Sequence, residues 1–70
     1  MALKTVDARG RACPEPVLLT RKALETSPEG VQVLVSSSVS RDNVRRFAAS
    51  RGYQIEVQHS GEDFLLIITR

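Results

Sequence analysis

The chain contains one cysteine, Cys13, one histidine, His59, and no tryptophan, and its only aromatic residues are Phe47, Tyr53 and Phe64. A lone cysteine excludes an internal disulfide and a CxxC redox centre. With one thiol and one imidazole the chain also lacks the several soft ligands that a structural zinc site draws on, so neither a metal nor a cofactor is expected. The scarcity of aromatics demands a mostly aliphatic core and leaves no aromatic-interleaved sheet for reading RNA bases. No apolar run approaches the roughly 18 residues of a membrane span, and Met1, Ala2 and Leu3 do not have the charged-then-apolar layout of a secretion signal. A cytoplasmic protein that does not enter membranes is expected, in a reducing compartment where a free thiol persists.

What is present fits one small domain covering residues 1–70. A chain of this size buries only about 60% of the surface that its unfolded form exposes, so its stability is modest. The hydrophobic share of 41% and charged share of 26% are those of an ordinary globular protein rather than a disordered one. The net charge of +2 comes from dispersed cations, Arg9, Arg11, Arg21, Lys22, Arg41, Arg45, Arg46 and Arg51, not from a basic tail. Such residues read as solvated helix faces or as a docking surface for an acidic partner or tRNA; direct contact with RNA is not expected.

Residues 3–7 read as a short strand and residues 8–12, with Gly10 and two arginines, as a loop. From Val17 the period becomes helical, with Pro16, Val17, Leu19, Ala23 and Leu24 on one face and an end near Ser27 before Pro28 and Gly30. Val31, Val33 and Val35 alternate in a strand over 31–36. Residues 37–40 read as a polar loop, with Ser40 as the N-cap of a helix whose Val44, Phe47 and Ala48 recur at helical spacing and which Gly52 closes. Ile55 and Val57 mark an edge strand over 54–58, residues 59–62 a hairpin turn, and the uninterrupted apolar run 64–68 a central strand. The order β-α-β-α-β-β, with right-handed crossovers, lays both helices on one face of one sheet, a two-layer α/β sandwich. Leu34, Leu65 and Ile67 then point to the other face, where an aliphatic patch would offer a partner surface.

Cys13 stands immediately before Pro14-Glu15-Pro16. Proline is tolerated in the first helical turn, where backbone donors have no intrahelical partner, so Pro14 and Pro16 mark a helix start. Cys13 is then expected at or beside the N-cap, within reach of the first-turn amides of Glu15 and Val17, where the helix dipole favours a thiolate. Arg9 and Arg11 reinforce that field and Glu15 opposes it. Two readings remain open on the residues alone: a small apolar residue capping a turn in a non-catalytic regulatory or interaction module, or a rigidly presented nucleophile. A Cys-His hydrolase is disfavoured because His59 falls in the distal hairpin turn with no residue evidently placed to orient it.

The stretch Asp7-Ala8-Arg9-Gly10-Arg11-Ala12-Cys13-Pro14-Glu15-Pro16-Val17-Leu18, followed by Arg21-Lys22-Ala23-Leu24, resembles the signature of the TusA/SirA/YedF family of small sulfur carriers. Asn43-Val44, Phe47-Ala48 and Gly52-Tyr53 resemble the second helix and following turn of its YedF-like branch. The resemblance implies a four-stranded mixed sheet of order 1-2-4-3 with the last strand antiparallel to the others. It implies a sulfurtransferase-type carrier in which Cys13 receives sulfane sulfur as a persulfide, aided in positioning by Pro14, Glu15 and Pro16. The implied partners are a cysteine desulfurase as donor and a cysteine-bearing acceptor protein, in tRNA thiolation or related sulfur or selenium metabolism. Arg9, Arg11, Arg41, Arg45 and Arg46 are the candidate docking residues, and a monomer or weak dimer is expected. Many family members carry an acidic residue just after the second strand, where this chain has Ser36-Ser37-Ser38.

Overall fold

The computed structural model describes residues 4–11 and 14–70. Six elements follow in the expected order: β1 (Lys4–Asp7), α1 (Glu15–Thr26), β2 (Gly30–Val35), α2 (Ser38–Ser50), β3 (Gln54–Ser60) and β4 (Asp63–Thr69). The sheet order is β1-β2-β4-β3, with β1 parallel to β2, and β4 antiparallel to both β2 and β3. Both helices pack on the same face and against each other. The β1 strand begins at Lys4; the expectation for Leu3 lies outside the described residues.

Alternation fixes the core. Val31, Val33 and Val35 of β2 and Leu66 and Ile68 of β4 are fully buried beneath the helices, which contribute Ala23, Leu24, Val44 and Ala48. Phe47, Ile55, Val57 and Phe64 pack against this cluster while partly exposed. Leu34, Leu65 and Ile67 lie half-buried on the opposite face, among Gln32, Glu56 and Gln58.

Four expectations shift. The second strand spans Gly30–Val35 rather than 31–36, and Gly30 is required there. Its φ of +146° is one that side chains avoid, and a Cβ would stand 2.5 Å from the Ile68 carbonyl oxygen. The second helix is capped by Ser37, not Ser40. Ser37 has extended backbone angles and its Oγ accepts from the Ser40 amide at 3.0 Å, so residues 38–40 form the first turn rather than a loop. The hairpin turn shrinks to Gly61 and Glu62, because Gly61 at φ +63° followed by a residue of negative φ matches a two-residue type II′ connection. His59 and Ser60 therefore belong to β3.

The face of α1 also holds Thr20, fully buried although polar. Its hydroxyl donates to the Pro16 carbonyl at 2.8 Å, which satisfies the group within its own helix. Pro16, Ala23 and Leu24 are buried as the helical spacing predicts, and Val17 and Leu19 are partly so.

Candidate functional site

In both crossovers the helix comes after the C-terminal end of a parallel strand, α1 after the loop that follows β1 and α2 two residues after β2, so both helices begin at the same end of the sheet. The start of β4 faces the end of β2 there, Phe64 opposite Val35, and the β3–β4 hairpin joins them. This end is tied together by side chains. The Gly10 amide donates to Ser36 Oγ at 2.9 Å, joining the loop after β1 to the end of β2. Arg9 donates through Nε and Nη2 to the two carboxylate oxygens of Asp7, each at 3.0 Å, and reaches Asp63 through Nη1 at 3.4 Å. The Arg9 backbone amide also donates to Asp7. The bidentate guanidinium bond, then the amide, holds the Asp7 carboxyl at about 2, well below the usual carboxylate range, and the same pairing raises Arg9 further.

The helix expected to carry the nucleophile at its start opens at Glu15, with Pro14 as the N-cap residue. Proline has no side-chain acceptor, and no side chain caps α1 among the described residues. The Leu18 amide donates to the Pro14 carbonyl at 3.0 Å, the first regular helical bond. Pro16 is fully buried, so its ring anchors the first turn in the core, whereas Pro14 and Glu15 are exposed. Glu15 is engaged by Arg11 at 2.9 Å. Cys13, the expected nucleophile, lies outside the described residues together with Ala12.

The candidate docking arginines divide into paired and unpaired groups. Arg41 donates to Asp42 at 3.0 Å and stacks over Phe64, 4.8 Å from the ring centroid. That hydrogen bond, followed by the fields of Arg41, Arg45 and Arg46, lowers the Asp42 carboxyl below its ordinary value. Arg41 and Arg45 share a groove with Asp42 beside Val57 of β3. Arg45 and Arg46 are exposed and hold no carboxylate among the described residues. Thus Arg9 and Arg41 converge on Asp63 and Phe64, Arg11 stays with Glu15, and Arg45 and Arg46 supply the unspent charge on α2.

His59 lies in β3 and not in the hairpin turn. The hairpin places it at this same end, with its ring 5.1 Å from that of Phe64, although β3 lies three strand spacings, roughly 14 Å, from β1. Two residues that periodicity does not single out also appear here. Among the described residues Leu18 and Val39, near the starts of α1 and α2, are the large apolar side chains left exposed, at 51% and 64%. Among the described residues no cluster of three or more His, Cys, Asp or Glu could hold a metal ion, and no helix is long and apolar enough to cross a membrane.

Comparison with known proteins decides the family. The family model for sulfurtransferase TusA matches residues 4–70. The chain belongs to the TusA family. A relative from Methanocaldococcus jannaschii, described as a "putative sulfur carrier protein", is 35% identical over 72 aligned positions, covering 100% of this chain and 96% of that protein. A relative of the same description from Halobacterium salinarum is 32% identical over 63 positions, covering 86% of this chain and 78% of its own length. The crystal structure of a SirA-like protein from Desulfitobacterium hafniense superposes with a TM-score of 0.85 at 37% identity, over 96% of each chain. Family membership supports a sulfur-carrier role, which in turn implies relay between partner proteins.

Proposed function

We propose that this protein carries sulfane sulfur as a persulfide on Cys13, receiving it from a donor protein such as a cysteine desulfurase and passing it to a cysteine-bearing acceptor. In the loading step the Cys13 thiolate attacks the outer sulfur of a donor persulfide. The donor S–S bond breaks, and the donor cysteine departs as a thiolate. In delivery an acceptor thiolate attacks the outer sulfur of Cys13, which leaves as a thiolate in turn. A sulfur atom moves in each exchange without an external oxidant or reductant, so no resolving cysteine or metal is required.

One observation carries the reading: a chain of the TusA family holds a single thiol, and that thiol directly precedes Pro14. The frame around it suits the chemistry. Two helix N-termini and a set of arginines favour an anion at this end of the sheet. Pro16, buried at the second helical position, fixes the direction in which the chain enters α1. Leu18 and Val39 offer apolar contact to a partner, and Arg45 and Arg46 offer charge.

Incubating the protein with a cysteine desulfurase and cysteine is expected to add one sulfur, about 32 Da by mass spectrometry, removable by a thiol reductant. Cys13→Ser is expected to fold as the parent does, because serine is a competent residue at a helix start, and to acquire no adduct. An unmodified parent after exposure to several desulfurases would refute the carrier reading. An adduct that survives in Cys13→Ser would refute the assignment to this residue.

A further inference from the structure

At the end of the molecule opposite the two helix starts, the C-terminal halves of α1 and α2 leave a cleft of about 320 Å³. Leu24, Pro28, Phe47 and Tyr53 form its apolar part, and Arg21, Glu25, Arg51 and Arg70 surround it. Tyr53 is locked in place, its hydroxyl donating to the Pro28 carbonyl at 2.8 Å. Arg51 lies over the Phe47 ring and Arg70 over the Tyr53 ring, each with its guanidinium carbon 5.1 Å from the centroid.

Each guanidinium lies over a ring, and neither Arg51 nor Arg70 is paired with a carboxylate among the described residues. Arg21 approaches Glu25 only at 3.8 Å, in an exposed pair that contributes little. The lining therefore keeps an excess of two positive side chains over negative ones. A phosphomonoester carries roughly −1.5 to −2 at neutral pH and accepts the paired N–H bonds that a guanidinium offers. A planar ring can stack on the outer face of a guanidinium already seated on an aromatic. The cleft volume lies at the lower end of small-ligand sites, roughly 300–1,000 Å³.

We propose that this cleft binds a small phosphomonoester bearing a planar ring, of the nucleoside monophosphate class, with Arg51 and Arg70 holding the phosphate. The site involves neither Cys13 nor the arginines at the other end, so it stands or falls apart from sulfur transfer.

Amide NMR titration of the full chain with AMP, inorganic phosphate and adenosine in separate arms, at fixed ionic strength in a phosphate-free buffer, tests it. AMP is expected to shift the amides of Arg21, Glu25, Phe47, Arg51, Tyr53 and Arg70, with phosphate binding more weakly and adenosine more weakly still. Arg51→Gln and Arg70→Gln are each expected to weaken AMP about tenfold with the remaining spectrum intact, while Arg45→Gln, which removes the same charge elsewhere, leaves affinity unchanged. The proposal is overturned if AMP does not bind, if the shifts spread equally to the Arg41 and Arg45 groove, or if Arg45→Gln weakens binding as much. It is overturned as well if phosphate or adenosine alone binds as tightly as AMP.

Discussion

Pro14 and Pro16 are separated by one residue, yet the structure assigns them different roles, and replacing each with alanine separates those roles. Pro16 is fully buried in the first turn of α1, and Pro14 is exposed at its N-cap. Alanine retains the Cβ but removes two ring methylenes. At about 0.8 kcal/mol for each buried CH₂, Pro16→Ala loses about 1.6 kcal/mol of burial. The freer unfolded chain adds about 0.4–1 kcal/mol, giving a total near 2–2.6 kcal/mol. Pro14→Ala should show only the unfolded-state part. A domain of this size holds roughly 3.5–10 kcal/mol in all, so the Pro16 variant remains folded, with its Tm lowered by about 8–20 °C. Urea denaturation followed by circular dichroism measures both variants, provided the slope with denaturant is unchanged. Equal losses for the two would show that the Pro16 ring does not anchor the helix start, and the argument that burial aims the chain preceding α1 would fail with it.

Two further outcomes concern the charges at the same end. The Asp7 carboxyl is expected to titrate near pH 2 by NMR and to return toward about 3.9 in Arg9→Gln. Because its folded value is depressed, the pair's contribution to stability is fully present above about pH 4 and is lost as pH falls toward 2; a midpoint unmoved in Arg9→Gln would mean that the guanidinium is not its cause. Reversing Arg45 and Arg46 to glutamate should slow low-salt association with an acidic donor protein about tenfold and flatten the dependence of transfer rate on salt. If both rate and salt dependence stay as in the parent, these arginines are ordinary solvated residues.

The fold was legible because its signals were regular: the three alternating valines of β2 and the helical spacing of Val44, Phe47 and Ala48 each settle a face, and the uninterrupted apolar run that became β4 marks a central strand, though not which of its residues face the helices. Boundaries depend on contacts that the pattern does not contain. Three consecutive serines are equivalent in a string, and only backbone geometry makes Ser37 the cap, Ser38 the first helical residue and Ser36 the acceptor for Gly10. Thr20 escaped because a polar residue on an apolar stripe reads as an interruption until its hydroxyl is seen to bond within the helix. His59 shares the end where both helices begin because β3 runs parallel to β2, yet it stays three strand spacings, roughly 14 Å, from β1 across the sheet.

The arginines carry the same lesson into function. Read from the sequence, five cations form one docking set, but Coulombic attraction to a partner is diminished for any cation already neutralised by a neighbour. Arg9 is held by Asp7 and Asp63, Arg11 by Glu15 and Arg41 by Asp42. Of the five, these pairs leave Arg45 and Arg46 to supply positive field to a partner. The paired residues act through placement: Arg9 binds the loop after β1 to β4, Arg41 covers Phe64, and Arg11 ties that loop to the first turn of α1. A carrier of the proposed kind, whose cargo would be exchanged directly between sulfurs, needs that division, because in-line attack depends on how the thiol-bearing segment is held, while partner encounter depends on the charges that remain free.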